Sequence, residues 1–279
     1  MEYGLRLARL DTPPADPRDA CPLPWRDFLP EAPPVALYFG SEFCEDRLPD
    51  LDEAQSFCAL ARERGWEATL LTPLVTPAGL ATVHRLLAGL EANRWQPAVV
   101  FNDWGVLGLL REQHPSLPRR AGRLINRSLR DPRAYREAPG GCAKHDGSRF
   151  ARLRHFLAGA GVTALETDAD LDGGYLGDGI DADGGGLARA LHLPYTFSAS
   201  GRNCPLKALL YPEGGGFSKS LADPCTAPCR SGPAPAQRSD ASLPQWRGGN
   251  TLFYEIPQQV ARDWLAHTDR IVLHEEATP

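Results

Sequence analysis

Three cysteines lie close together in the last third of the sequence. Cys225 and Cys229 each follow a proline in "LADPCTAPCR", and Cys204 precedes them in "SGRNCPLKALL". Thiolates grouped in this way bind zinc or iron–sulfur clusters, and both kinds of centre commonly take four cysteine ligands. The spacing therefore predicts a metal centre, which needs a fourth thiolate from elsewhere in the chain.

The remaining cysteines differ in how well they suit the role of fourth ligand. Cys58 lies among aromatic and aliphatic residues in "AQSFCALAR", so we expect it to pack in the core as a small hydrophobe. Cys21 lies in a proline-rich stretch and Cys142 in a glycine-flanked one. Cys44 directly follows the apolar run "VALYFG", which would place it at the end of a strand.

Composition and cysteine count bound the class of protein. The chain has 279 residues, a net charge of −5 and seven cysteines. Its N-terminal sequence lacks a basic segment followed by an apolar one, and no run reaches the roughly 18 apolar residues that a membrane span needs. We therefore expect a cytoplasmic protein without a membrane span, where structural disulfides are rare. The negative net charge gives no strong nucleic-acid signal.

Apolar runs of strand length alternate with amphipathic stretches of helix length. The predicted helices cover residues 50–64, 77–93, 104–113, 148–160 and 257–267. The predicted strands cover 35–40, 68–74, 98–103, 123–128, 163–168, 193–200, 251–256 and 270–275, with a further candidate at 3–10. Asp52 is a candidate cap for the first helix. About eight strand–helix units favour a TIM-like (β/α) barrel, with an open doubly wound sheet as the alternative.

Two stretches interrupt this alternation. Residues 1–34 form a predicted N-terminal strand and proline-rich arm, and residues 35–279 form one predicted barrel-like domain. Within that domain, residues 201–250 are rich in glycine and proline and show no periodicity. A structureless loop of this length is uncommon in a compact domain, so we expect a local organising centre. A metal bound by its cysteines would serve as that centre in this long cysteine-bearing loop.

The carboxyl ends of the strands in such a barrel open onto one face, where functional sites are built. Cys44 and Cys204 both follow predicted strands, so this face would bring them together despite their separation in sequence. Arg202 lies just before Cys204 and could offer a cation to the metal centre or to an anionic ligand.

Other polar residues reach the same predicted face. Asn102, Asp103 and Trp104 come at the end of the strand 98–103 and are candidate substrate contacts, although Asp103 would also suit the cap of the next helix. Asn126 and Arg127 follow the next predicted strand in the same way.

Several segments resemble the UbiV-type iron–sulfur proteins of the U-thirty-two (U32) peptidase-like family. "YFGSEFCEDR" is similar to an early Tyr-x-Gly-x-x-x-Cys-x-x-Arg stretch, and the cysteine after a strand followed by Cys-x-x-x-Cys is similar to a later pattern. "LLTPLVTPAGL", "VVFNDWGVLGLL" and "GNTLFYEI" with "DRIVLHE" resemble further segments. The resemblance implies a TIM-like barrel and a 4Fe–4S cluster. The ligands that it implies are Cys44, Cys204, Cys225 and Cys229.

The same resemblance implies a role in oxygen-independent hydroxylation, as in ubiquinone biosynthesis, for this chain alone or as a subunit. It also implies a small aromatic substrate at the barrel mouth and a heterodimer with a related barrel protein. A non-catalytic iron–sulfur partner or scaffold subunit is one alternative, and a protease, following the family label, is another. The sequence holds neither a Gly-x-Ser-x-Gly nor a His-Glu-x-x-His motif, which disfavours the protease.

Zinc is the alternative cofactor. Structural zinc sites usually combine two close cysteine pairs, whereas this chain has one close pair and two distant single cysteines. That arrangement disfavours a zinc ribbon and favours the cluster.

Overall fold

Eight parallel strands close into a barrel in the computed structural model, which describes residues 1–10, 23–125, 148–169, 171, 187–216, 218–219, 223–236, 239 and 241–275. In chain order the barrel strands are β1 (Glu2–Arg6), β2 (Ala36–Gly40), β3 (Glu67–Thr72), β4 (Ala98–Phe101), β5 (Arg119–Ala121), β6 (Val162–Thr167), β7 (Ala188–Leu193) and β12 (Arg270–His274). Each follows its neighbour in sequence around the barrel, and β12 closes it between β7 and β1. The predicted TIM-like barrel is confirmed.

Helices connect most of these strands. They are α1 (Leu51–Arg64), α2 (Pro77–Ala92), α3 (Trp104–Glu112), α4 (Ser148–Gly159), α5 (Pro205–Ala208) and α6 (Gln258–Leu265). The sequence predicted all but the short α5, with bounds within two residues of those observed. Cys58 is buried in the core on the inner face of α1, as predicted. Across the described ranges, no helix combines the length and apolar character needed to cross a membrane.

A second, antiparallel sheet of four strands covers part of the barrel mouth, and we call it the cap sheet. Its strands are β8 (Tyr195–Ser200), β9 (Ala234–Ala236), β10 (Gln245–Gly248) and β11 (Thr251–Glu255), in the order β8-β11-β10-β9. Phe43, just after β2, packs on Phe197 and Phe253 of this sheet, with ring centroids 4.8 and 5.5 Å apart. These aromatic contacts hold the cap sheet against the carboxyl-terminal end of the barrel.

Three predicted strands differ from the observed ones. The strand predicted at 123–128 is observed earlier in the chain, as β5. Two of the three residues of β5 are arginines, so it lacks the apolar run by which a barrel strand is recognised in sequence. The run 193–200 belongs to two strands, because Pro194 has no N–H to continue the ladder and the chain leaves the barrel there. The run 251–256 joins the cap sheet as β11 instead of the barrel.

The N-terminal strand belongs to the barrel. β1 pairs in parallel with β2 and with β12, where Arg6 lies opposite His274. The barrel therefore includes residues on both sides of position 34. At the other end, the stretch 201–250 contributes α5, β9 and β10, so it holds regular structure beyond the predicted irregular loop.

Alternation along the strands decides which side chains enter the barrel. An apolar layer fills part of the interior, and it consists of Ala36, Tyr38, Leu71, Val100, Ala190 and Val272. Successive side chains of a strand point to opposite faces. His192 and His274 lie two positions beyond Ala190 and Val272, so they also point inward, nearer the carboxyl ends. A polar layer therefore lies between the apolar layer and the cap sheet.

The N-cap of α1 offers a test of these local assignments. Asp50, and not Asp52 as predicted, is the cap, and its Oδ1 accepts a hydrogen bond from the backbone N–H of Glu53 at 2.8 Å. Asp50→Ala should lower the free energy of unfolding by about 0.5–2 kcal/mol. Asp52→Ala removes a neighbouring negative charge without removing the cap, so a clearly smaller loss is expected. Urea denaturation of both variants measures the difference, and equal losses would contradict the assignment.

Candidate functional site

The four predicted cysteine ligands line one cavity of roughly 350 Å³ beside the cap sheet. Cys44 comes from the loop after β2, Cys204 from the segment after β8, and Cys225 and Cys229 from the segment between α5 and β9. All four are free thiols. The fold thus brings the four side chains to one place, and their role as metal ligands stays a prediction.

The loop after β2 holds Cys44 in place through its own backbone. The N–H of Cys44 donates to Ser41 Oγ at 3.1 Å, and the N–H of Asp46 donates to the Cys44 sulfur. Cys44 immediately precedes a single 3-10 turn, Glu45–Arg47. This turn carries Arg47 to the other side of the cavity, where its Nη1 donates to Cys229 Sγ at 3.3 Å.

Backbone N–H groups also face the sulfurs of the other segment. Cys204 caps α5, and the N–H of Lys207 donates to its Sγ at 3.4 Å. The N–H of Ala227 donates to Cys225 Sγ at 3.3 Å. Ala227 has a left-handed backbone conformation, φ +52°, which bends the chain between the two cysteines. Hydrogen bonds of this kind stabilise thiolate sulfur and tune bound metal centres.

Three cationic side chains line the same cavity: Arg47, Arg202 and Lys207. Lys207 is only 3% exposed, and its Nζ lies 3.3 Å from Asp46 Oδ2. Arg202 Nη2 donates to the backbone oxygen of Val75 at 3.2 Å. Arg202 therefore lies in the same cavity as the cysteines, and its role as a cation for a metal centre or an anionic ligand stays a prediction. Together the cations would offset the negative charge of several thiolates.

Burial controls the protonation of the thiols. Burial is the largest cause that raises the pKa of Cys44 to about 12; the neighbouring Asp46, Cys229 and Cys204 add to it, and the hydrogen bond from the Asp46 N–H opposes it. Burial likewise raises the pKa of Cys204. Both groups therefore keep their protons at neutral pH when no cation is bound. A metal centre that takes them as ligands must displace these protons, so its affinity increases with pH.

A buried ionic group lies directly behind the cavity, and sequence reasoning missed it. The guanidinium of Arg123 donates from Nε to Glu42 Oε1 at 3.1 Å and from Nη2 to Glu42 Oε2. Its Nη1 donates to Asp168 Oδ1 at 2.8 Å and to the backbone oxygen of Tyr195 at 3.0 Å. Burial would raise the pKa of Glu42, but Arg123 and His192 lower it, so the carboxylate stays charged.

A second buried group lies deeper in the barrel. Arg120 Nε donates to Glu166 Oε1 at 2.6 Å, and His192 Nε2 lies 2.8 Å from Glu166 Oε2. Burial alone would raise the pKa of Glu166, yet Arg120 and His192 lower it to about 2. A sequence signal for such residues is a polar residue within a mostly apolar strand, such as His192 in "ARALHL". Its alternation with the apolar residues indicates the face to which it points.

The other predicted site residues have structural contacts and do not line the cavity. Asn102 is buried, with Nδ2 donating to Thr72 O and Oδ1 accepting from Leu124 N, both at 2.9 Å. Asp103 caps α3 by accepting from the N–H of Gly105 at 2.7 Å. Trp104 is half exposed and forms an edge-to-face contact with Phe156. A role for these three residues in substrate binding stays a prediction.

Four residues singled out from the sequence lie outside the described ranges. They are Cys21, Asn126, Arg127 and Cys142.

Comparison with known proteins finds little that is similar. No family model matches the chain, and no curated protein matches it. Among solved structures, the U32 peptidase Mk0906 is similar at 11% identity with a TM-score of 0.47, over 100% of this chain and 94% of that one. A likeness this weak supports no statement about activity, substrate or cofactor.

The buried carboxylate of Glu166 predicts an acid-dependent component of stability. Its pKa falls from the ordinary value of 4.5 to about 2 on folding, so the unfolded chain binds the proton more readily. The stabilisation from the charged Glu166 is fully present above its pKa of 4.5 in the unfolded chain. It is lost as the pH falls through its folded pKa of about 2.

Glu166→Gln should flatten the fall in unfolding free energy across that acid range. It should also cost about 3–5 kcal/mol at neutral pH, because Arg120 is left buried beside an uncharged partner. Urea denaturation across the pH range measures both effects. The control is Glu63→Gln, which changes an exposed carboxylate on α1. The same acid slope in wild type and Glu166→Gln would contradict the role given to Glu166.

Proposed function

We propose that this chain is an iron–sulfur protein in which Cys44, Cys204, Cys225 and Cys229 hold a 4Fe–4S cluster. The observation that carries the proposal is the convergence of four free thiols, from separate parts of the chain, on one cavity of about 350 Å³. Four cysteine thiolates are the usual ligand set of such a cluster. The resemblance of "YFGSEFCEDR" to the UbiV-type iron–sulfur proteins points to the same cofactor.

The spacing of the thiols supports a cluster over a single zinc ion. Structural zinc sites usually combine two close cysteine pairs. Here Cys225 and Cys229 form one close pair, while Cys44 and Cys204 are distant single cysteines in sequence. This spacing favours a cluster with four cysteine ligands.

The surroundings of the cavity also suit a cluster. A cluster with four thiolate ligands carries net negative charge, and Arg47, Arg202 and Lys207 would offset it. The N–H groups of Lys207 and Ala227 and the guanidinium of Arg47 would keep their hydrogen bonds to sulfur. Such bonds and charges make a bound cluster easier to reduce.

The chemistry that a bound cluster of this type supplies is one-electron transfer. With four cysteine ligands no iron position stays free, so the protein would pass electrons without binding substrate at iron. The resemblance favours a place in oxygen-independent hydroxylation, alone or beside a related barrel protein, with an aromatic substrate at the barrel mouth.

A structural role for the cluster is the second candidate. Three of the four cysteines belong to the stretch 201–250, whose described residues include the short α5, a 3-10 turn at Pro228–Ser231 and the short strands β9 and β10. A cluster bound there would hold this stretch against the loop after β2. Redox titration separates the two roles, because an electron carrier is reduced and reoxidised reversibly without loss of iron.

Removal of Cys44 tests the ligand set. Wild-type protein purified without oxygen should be brown and contain about four iron and four sulfide per chain. Cys44→Ala should lose most of both, because one ligand of four is missing. Cys58→Ala removes a buried thiol of the α1 core and should keep the wild-type content.

Iron and sulfide analysis of the three proteins decides between the outcomes. Full cluster content in Cys44→Ala would show that another group is the fourth ligand. A wild-type protein with zinc in place of iron, or with no metal, would contradict the proposal itself.

Arg47→Met tests the electrostatic part of the proposal. The substitution removes a positive charge and the hydrogen bond to Cys229 Sγ while keeping much of the side-chain volume. We expect the iron content to persist and the reduction potential to become more negative, because the reduced cluster loses stabilisation. Arg85→Met on α2 is the control, since Arg85 bonds to Thr82 on the same helix, outside the cavity lining. An unchanged or more positive potential in Arg47→Met would contradict this account.

A further inference from the structure

Two histidines and a glutamate meet in the polar layer of the barrel, apart from the cysteine cavity. Glu42, His192 and His274 are buried, with exposed fractions of 0%, 0% and 1%, and their ligand atoms lie within 4.8 Å of one another. His192 Nδ1 lies 2.6 Å from His274 Nε2 and 3.9 Å from Glu42 Oε2. We propose that these three side chains form a binding site for a divalent transition-metal ion.

The barrel itself sets this arrangement. His192 lies near the end of β7 and His274 at the end of β12, and these two strands are hydrogen-bonded neighbours. Glu42 follows β2 and reaches the same interior from the barrel mouth. Two imidazoles and one carboxylate are a ligand set that proteins use for zinc and for non-haem iron(II).

His192 has the outer partner that a metal-binding histidine usually has. Its Nε2 lies 2.8 Å from Glu166 Oε2, and a carboxylate can only accept, so Nε2 carries the proton. In the neutral ring this leaves the Nδ1 lone pair facing His274 and Glu42. A carboxylate that orients a ligating imidazole in this way also raises its basicity.

His274 can present the lone pair of its Nε2 when it gives up its hydrogen bond to His192 Nδ1. Its Nδ1 has no hydrogen-bond partner among the residues that the structure describes, so the proton can reside there and leave Nε2 free. Burial, together with the charge of Arg123, lowers the pKa of His274, so the ring is neutral at physiological pH. An ion bound by both nitrogens would replace this hydrogen bond, and the two rings must move slightly apart, because nitrogens at about 2.0–2.1 Å from one metal lie roughly 3 Å from each other.

The charges around Glu42 allow it to serve as the third ligand. Arg123 bonds both oxygens of Glu42 but also bonds Asp168, so one guanidinium is shared by two carboxylates. Each carboxylate oxygen has a further lone pair, which leaves Glu42 Oε2 able to bind a metal while Arg123 orients it. Arg6 and Arg123 repel a cation, so we expect an ion that exchanges on dialysis.

Cobalt(II) binding to the anaerobically purified full-length chain tests the site. Equilibrium dialysis with cobalt(II) alone should give about one cobalt per chain, with the weak visible absorption of nitrogen and oxygen ligands. Strong sulfur-to-cobalt absorption would instead place the ion at the cysteines, so the two sites are distinguishable. Binding should also raise the melting temperature of the wild-type protein.

Variants of the ligands locate the ion. His192→Ala and His274→Ala should each weaken cobalt binding more than about tenfold, and Glu166→Gln by about 10–100-fold through His192. His84→Ala is the matched control, because His84 Nδ1 forms a similar 3.0 Å contact with His114 Nε2 elsewhere in the fold. Circular dichroism and iron content show which variants are folded.

Two results would overturn the proposal. One is a wild-type chain that binds no cobalt through nitrogen and oxygen ligands and gains no thermal stability from it. The other is unchanged affinity in folded His192→Ala and His274→Ala. In either case the two histidines share only a hydrogen bond. If the histidine variants do not fold, the wild-type spectrum and melting temperature still decide.

Discussion

The candidate site depends on the ion pairs that the buried guanidinium of Arg123 forms with Glu42 and Asp168. A charge with no exposure to solvent must be matched by partners in fixed positions, because an unpaired buried ion is very costly. Its partners come from three places: Glu42 after β2, Asp168 after β6, and the backbone of Tyr195 at the start of the cap sheet. One side chain therefore joins the barrel to its cap.

This joint also determines where the cysteines lie. Glu42 is separated from Cys44 only by Phe43, whose ring lies 5.3 Å from the Arg123 guanidinium and packs on the cap sheet. Asn250 adds a second link, since its Nδ2 donates at 2.7 Å both to Phe43 O and to Gly201 O. The loop that carries Cys44 and the segment that leads to Cys204 are thereby held beside each other.

Much of this fold could be predicted from the sequence because apolar patterns are local. The helices and most of the strands follow from periodicity, and the closeness of Cys44 to the later cysteines follows from their places after strands. The pattern fails where strands carry charge, as in β5, whose Arg120 points into the barrel to pair with Glu166. It also fails at β11, because an apolar strand does not reveal which of two sheets it joins.

The pairing of side chains in the polar layer could not be predicted for a related reason. Nothing in the sequence next to Glu42, Glu166, His192 and His274 identifies their buried partners, and each is tolerated inside because the others are there. Their partners lie on other strands, tens to hundreds of residues away, and become neighbours only when the barrel closes.

The central claim is that four cysteines of one cavity hold a single cluster. Mössbauer spectroscopy of protein purified without oxygen from cells grown on the enriched iron isotope tests it most directly, because the method counts and classifies every iron. The account predicts one population of sulfur-ligated iron with the valence-delocalised pairs of a 4Fe–4S cluster, at about four iron per chain. A spectrum without any sulfur-ligated iron, or a chain without iron, would contradict it.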